Sequence, residues 1–384
     1  MATATQVQRR RGTAAQVAAF TPALGEDVVD TSNNRLVVGD GSTLGGWPHA
    51  KIGDINGFVN KFRNGKMDVY QRGSSGTVSA GTTAYTADGW QISATGANAA
   101  WGVFYEAFAS GLFSLANFLR ISCASGLTAC TLQQRIESFV ASELISTAGA
   151  QPITVQWTIL NASGGSITPQ VRVSYATAQD NFAAVTDELA ATNLQTIANG
   201  ILATVAYTFQ PSNYANPQNG YQVQLQFGGQ LNAASGSVYV SLADIRLTPG
   251  VATGINNNPP PPEQRPTGIE LPFCQRYFVS SYSGVAPGTA NSASRDSPNI
   301  GSATVASGAT FWFEPLTMRA SPTVVVYSYT GAAGKVSSNS GSDFAANSAA
   351  SVAASTGVFF YNNSGGTLSG ASSFLFNYTA SAEL

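Results

Sequence analysis

Histidine is nearly absent from this chain of 384 residues: His49 is the only one. Imidazole is the commonest ligand of catalytic metals and the commonest general base near neutral pH. A histidine-built metal centre is therefore excluded, and any hydrolytic triad would have to use His49, which follows Trp47-Pro48 in a turn. Charge is scarce too. Only 10% of the residues are Asp, Glu, Lys or Arg, against about 25% in ordinary soluble domains. With 18 basic and 20 acidic residues the net charge is −2. No basic surplus is there to release counterions from a nucleic acid, and no single-sign repulsion to hold the chain disordered. Three cysteines, Cys123, Cys130 and Cys274, are too few for a disulfide framework in a chain of this length. Cys123 and Cys130 are near enough in sequence to close a small loop in an oxidising medium; buried free thiols are the expectation. Long apolar runs are missing, so no segment reads as a membrane-spanning helix. The opening MATATQVQRRRGTAAQVAAF has three arginines but neither an apolar core nor a cleavage site of a secretory signal.

What replaces charge is Gly, Ala, Ser, Thr, Asn and Gln, arranged in three blocks. In the first, residues 1–56, Thr13–Phe20 reads as a short helix capped by Thr13 and stopped by Pro22. Asp27–Asp30 and Arg35–Val38 flank Ser32-Asn33-Asn34, a hairpin signal. Large apolar residues are too few there for an independent core, so the block needs partners, of which copies of itself are the simplest. The second block, residues 57–249, alternates apolar and polar residues in Ile153–Ile159, Val171–Val173, Tyr221–Phe227, Val238–Leu242 and Ile245–Leu247. Many short strands with turn residues between them indicate a β-sandwich, most economically a jelly roll. Leu132–Leu144 fits either a strand pair or a short helix. Residues 250–267, with Asn256–Asn258 and Pro259–Pro262, read as an extended spacer crossed by few contacts. The third block, residues 268–384, has β-rich runs at Thr310–Phe313, Thr323–Tyr329, Gly357–Tyr361 and Ser373–Tyr378, separated by long, small, polar loops. The fold class expected is all-β throughout.

Three motifs carry a resemblance. Arg10-Arg11-Gly12-Thr13, Gly25-Glu26, Val29-Asp30-Thr31, Leu36-Val37-Val38-Gly39-Asp40-Gly41 and Gly45-Gly46-Trp47-Pro48 follow one another in order. Asn64–Gly73 is followed by Tyr85-Thr86-Ala87-Asp88-Gly89-Trp90, and Glu270–Phe278 by Met318–Val324. The first resembles the N-terminal attachment motif of tailed-phage fibre and receptor-binding proteins. The second resembles the opening of jelly-roll modules in phage fibres, themselves similar to carbohydrate-binding modules; the usual form has Arg where Gly89 sits. The third resembles the C-terminal domains of phage tail fibres. The resemblance implies an elongated homotrimer, made in the host cytoplasm and placed on the virion tail, that adheres to a host surface glycan or outer-membrane receptor. It assigns Arg9, Arg10, Arg11, Gly12 and Trp47 to docking on a tail or baseplate protein, and residues 268–384 to a receptor-binding β-sandwich tip. A head-attached (capsid) fibre of the same domains, a polysaccharide-degrading spike and a secreted bacterial carbohydrate-binding protein are the alternatives.

Chemistry points to binding. Glycosidases place two carboxyl groups across one sugar bond, but Asp68, Asp88, Glu106, Glu137, Asp244 and Glu314 stand in no paired motif. No catalytic residue, no metal site and no cofactor is expected; Asp68, Asp88 and Asp244 are the candidates should a structural calcium be held, as jelly-roll carbohydrate modules often do. Sugar rings stack on aromatic faces while amides and carboxylates take the hydroxyls. Tyr282, Trp312, Tyr327, Tyr329 and Tyr361 are the candidate glycan-binding residues, against sheet or trimer-interface packing as the plainer use of the same rings.

Overall fold

The computed structural model describes residues 10–32, 35–48, 58–105, 117–145, 149–231, 236–282, 284–290, 309–312, 317–338, 343–345, 357–360 and 374–384. The first unit opens with β1 (Arg10–Gly12) and turns at Thr13 into the short helix α1 (Ala14–Ala18). The cap is reciprocal: Gln16 N donates to Thr13 Oγ1 at 3.4 Å, and Thr13 N donates to Gln16 Oε1 at 2.9 Å. The hairpin pairs β2 (Asp27–Asp30) with β3 (Arg35–Val38), Asp27 opposite Val38 and Asp30 opposite Arg35. β1 joins β2 in parallel, and β4 (Trp47–Pro48) closes the other edge. The buried centre of this unit is Val17, Val28 and Val37, with Phe20 packed against them. Leu24, Leu44 and Trp47 remain 83%, 61% and 55% exposed.

The middle of the chain is the expected two-sheet sandwich. One sheet has six strands in the order β13 (Asn181–Asn193), β12 (Gln170–Ala178), β15 (Tyr221–Gln226), β10 (Ala129–Ile136), β7 (Gln91–Thr95) and β6 (Thr82–Tyr85). The facing sheet runs β17 (Gly254–Ile255), β14 (Leu202–Phe209), β11 (Ile153–Ala162), β16 (Ser237–Leu247), β9 (Asn117–Cys123), β8 (Ala99–Tyr105) and β5 (Ser75–Val78). Alternation decides the inward set: Ile153, Val155, Trp157 and Ile159 of β11 meet Val171, Val173, Tyr221, Val223, Leu225 and Leu132 in one continuous core. Leu132–Leu144 takes part of each expectation. β10 ends at Ile136, and α2 (Ser138–Ala141) follows with a tight turn to Leu144.

The Asn64–Trp90 motif closes this sandwich. Asn64 is fully buried with φ +53. Its Oδ1 accepts from Val69 N at 3.0 Å, and its Nδ2 donates to Val69 O at 2.7 Å and Asp88 O at 3.0 Å. Trp90 Nε1 donates to Asn64 O at 3.0 Å. Gly65 presses on β16, where a Cβ would stand 2.3 Å from Ala243 O. Gly89, at φ +84, leaves no room for the usual Arg, since a Cβ there would lie 2.6 Å from Arg63 Nε.

The Asn/Pro run is not a thin spacer. Gly254–Ile255 pairs with β14, Gln156 Nε2 donates to Pro260 O at 2.7 Å, and Arg246 donates to Pro261 O at 3.0 Å. The carboxylate of Glu263 accepts from Phe58 N at 2.8 Å and Asn60 N at 2.7 Å. Proline lacks an N–H but keeps its carbonyl, so side-chain donors of a neighbouring sheet can pin a proline run. The third block opens with α3 (Thr267–Gln275), unforeseen in a segment containing Pro272. β18 (Phe278–Ser280), β20 (Thr323–Ser328), β21 (Lys335–Ser338), β22 (Asp343–Ala345) and β24 (Phe374–Ser381) then form an antiparallel sheet, and β19 (Ala309–Trp312) pairs with β23 (Gly357–Phe360). Most of the long loops read from the sequence lie outside the described residues.

Candidate functional site

At the N-terminal unit, Asp40 organises a corner. Its carboxylate accepts from Ser42 N at 2.9 Å, Thr43 N at 2.6 Å, Thr43 Oγ1 at 2.5 Å and Trp47 Nε1 at 2.9 Å. Those donors, Thr43 foremost, hold the Asp40 carboxyl well below the usual carboxylate range. The Trp47 ring is thereby fixed in direction while standing in solvent. Arg10 lies 4.3 Å over the Phe20 ring and 3.3 Å from Glu26, Arg11 is exposed, and Gly12 O accepts from Thr31 N at 2.9 Å. Arg9 lies outside the described residues. Arg10, Gly12 and Trp47 thus share one small sheet, with Leu24 and Leu44 exposed on the same unit.

The candidate aromatic residues are not brought together as a set. Tyr282, read from the sequence as a loop surface residue, is only 3% exposed and packs edge-to-face on Tyr327 with ring centroids 5.7 Å apart. As placed, it offers no open ring face; a tyrosine beside β18 finds apolar cover in the adjoining sheet. Tyr327 and Tyr329 are half-buried on and just after β20, Trp312 ends β19, and Tyr361 lies outside the described residues.

The carboxylates are held as structural partners. Asp68 meets Lys66 at 2.9 Å, Asp244 pairs with Arg246, and Asp88 accepts from Gln71 Nε2 at 2.5 Å and Arg72 at 3.3 Å. Burial pushes the Asp88 carboxyl up to about 6 against the pull of Arg72 and Gln71. Glu137 accepts from Arg276 at 2.7 Å and Tyr277 Oη at 2.8 Å. Glu106 and Glu314 lie outside the described residues. Asp68, Asp88 and Asp244 do not fit a calcium site, because each already faces a lysine or arginine where the ion's charge would sit.

Sequence reasoning missed the junction these groups build. Glu383 bridges Arg63 and Arg72 at 2.8 Å each. Arg63 stacks 3.8 Å over Tyr277, and Arg72 stacks 3.5 Å over Phe278. Burial pushes Tyr85, beside Arg72, up to about 12. A pocket of about 170 Å³ lies next to it, lined by Phe58, Lys61, Phe139, Glu143, Phe273 and Arg276. Nothing in the local sequence signals either feature, because their members come from segments far apart in the chain.

Residues 7–43 match the family described as Major tropism determinant N-terminal domain. Among curated proteins, a stretch of 47 residues is 55% identical to the Tail fiber receptor-binding protein of Bordetella phage BPP-1, covering 12% of this chain and 12% of that one. Among solved structures, the CBM22-2 xylan-binding domain of Paenibacillus barcinonensis Xyn10C is matched at TM-score 0.30 and 10% identity, over 49% of this chain and 98% of that domain. The enzymatically active domain of bacteriophage CBA120 tailspike protein 4 is matched at TM-score 0.29 and 10% identity, over 50% of this chain and 22% of that one. These two likenesses add nothing to the functional reading.

Proposed function

We propose that this chain is a phage tail fibre subunit that docks on the virion through its first block and adheres to a host receptor through the rest. The observation that carries the reading is the N-terminal unit, with its match over residues 7–43. Its three-valine centre and its exposed Leu24, Leu44 and Trp47 suit a segment finished by contact with other chains. Homotrimerisation supplies such contacts, and Arg10, Arg11, Gly12 and Trp47 face the docking protein. The division into residues 1–56, 57–249, 250–267 and 268–384 stands in this reading as a division of labour rather than of rigid bodies. Adhesion proceeds without bond cleavage, which is in keeping with the structural roles taken by Asp68, Asp88, Glu137 and Asp244. Weak sites repeated on a symmetric fibre, and again around the particle, gain by effective concentration.

Labelled antibody against residues 268–384 tests the location. Gold on tail tips supports the reading, and gold on capsids or on no particle overturns it. Mass measurement in solution tests the trimer, which a stable monomer at micromolar concentration would exclude.

A further inference from the structure

Cys123 and Cys130 are the two feet of one arch. Cys123 ends β9 in the seven-stranded sheet, and Cys130 stands near the start of β10 in the six-stranded sheet. The chain between them therefore crosses from one layer of the sandwich to the other. A second arch, from β7 to β8, crosses beside it in the opposite direction, with Ala99 registered on Cys123 and Ala94 on Cys130. The two turns are pressed together. Ala124 N donates to Asn98 O at 3.3 Å, Thr128 N donates to Thr95 O at 2.8 Å, and a Cβ on Gly96 would stand 2.4 Å from Gly126 O. All four feet face the same core. Alanine and cysteine are small, so the layers close where the chain crosses between them. The two thiols meet there and hydrogen-bond to each other.

The pair is not symmetric. Cys123 is 6% exposed and Cys130 0%. The hydrogen bond from Cys130 pulls the Cys123 thiol below the ordinary cysteine value, and the same bond, with burial, pushes Cys130 up. Cys274, the third thiol, lies on α3 outside this core. We propose that Cys123 and Cys130 form a modification site, a dithiol that a low-molecular-weight disulfide such as oxidised glutathione converts into a disulfide tying the two sheets together. The Cys123 thiolate attacks one sulfur of the oxidant and expels a glutathione thiolate, which takes up the proton that Cys123 gave. Cys130 then loses its proton, attacks the Cys123 sulfur of the mixed disulfide and expels the second glutathione. Two protein thiols are oxidised and one small disulfide is reduced to two thiols. Both thiols are closed off in the folded core, so the exchange runs through transient opening of the arch. Thiols already in contact need only a small shift to bond at about 2.05 Å. The tie depends on the sandwich alone and not on where the chain sits on a particle.

The test starts from the full-length chain, reduced and then freed of reductant. It is incubated with oxidised glutathione at pH 8 in urea just below its unfolding midpoint, where the arch opens, and returned to buffer. Remaining thiols are blocked with iodoacetamide in denaturant and the peptides mapped by mass spectrometry. A Cys123–Cys130 link with Cys274 alkylated is the expected result. The linked chain should melt roughly 5–10 °C above the reduced one, as closure of so short a loop implies, and dithiothreitol should reverse the gain. Cys130→Ser should stop at a glutathione adduct on Cys123, while Cys123→Ser should collect far less on Cys130. Three alkylated cysteines in the wild type, or a link through Cys274, overturns the proposal. A linked chain that melts no higher than the reduced one overturns the tie between the sheets, and equal adducts on the two serine variants overturn Cys123 as the attacking thiol.

Discussion

Glu383 Oε2 sits 2.8 Å from Arg63 across 320 residues of chain, and the other oxygen of the same carboxylate holds Arg72. All three side chains are nearly buried. Glu383→Gln keeps the shape but removes the charge that both guanidiniums face. Breaking a buried pair from one side costs about 3 kcal/mol, so the urea midpoint should fall well below that of the wild type. An unchanged midpoint would show that the junction contributes nothing to stability.

Asp88 makes stability depend on pH in a defined direction. Unfolded aspartate titrates near 3.9, and burial raises the folded group to about 6. The folded state therefore binds the extra proton, and its stabilisation is complete below about pH 4 and lost as pH rises through 6. The span is roughly 3 kcal/mol, at 1.36 kcal/mol per pH unit. Urea midpoints measured between pH 4 and 7 should decline across this window, and Asp88→Asn should remove that part of the decline. An identical slope in the variant would assign it to other groups.

Gly89 should tolerate no side chain. At φ +84 an L-residue is strained by about 1–2 kcal/mol, and the Arg63 side chain fills the space a Cβ needs. Gly89→Ala should lower the melting temperature, and Gly89→Arg should lower it more. A melt of Gly89→Arg equal to the wild type would mean that Arg63 moves aside without cost.

Cys123, Cys130 and Cys274 are free and buried, and burial pushes the Cys274 thiol up. None should react with a thiol reagent at pH 8 while the chain is folded, and all three should react in denaturant. Rapid labelling of one native thiol would point to local opening around it.

Trp47→Ala removes an exposed ring whose indole N–H reports to Asp40. The β-sandwich should be unaffected by circular dichroism, while incorporation of the fibre into particles should fall. Full incorporation would discard Trp47 as a docking residue.

The parts of the fold that were legible in the sequence are those written in local chemistry. Thr13 announces its helix by a cap, Asp27–Asp30 and Arg35–Val38 announce a hairpin by their turn, and Ile153–Ile159 announces a strand by alternation. β1 was not legible, because three residues carry no period and its partner is set by the parallel return of β2. β13 has a weak pattern because it is an edge strand, half exposed along its length. The Asn/Pro run misled because its composition fits a solvated spacer, and only the donors at Gln156 and Arg246 reveal that it is pinned. Tyr282 misled for the same reason: the apolar cover that buries it comes from Tyr327, far along the chain.

The junction at Glu383 also sets an order of events during synthesis. Arg63 emerges 320 residues before the carboxylate that neutralises it, roughly 15–65 s earlier at ordinary rates of translation. Once β17 at residues 254–255 has emerged the sandwich strands are all made, while Arg63 and Arg72 still wait for the carboxylate that follows β24. A ribosome that stalls before β24 therefore releases a product whose middle module is unsealed.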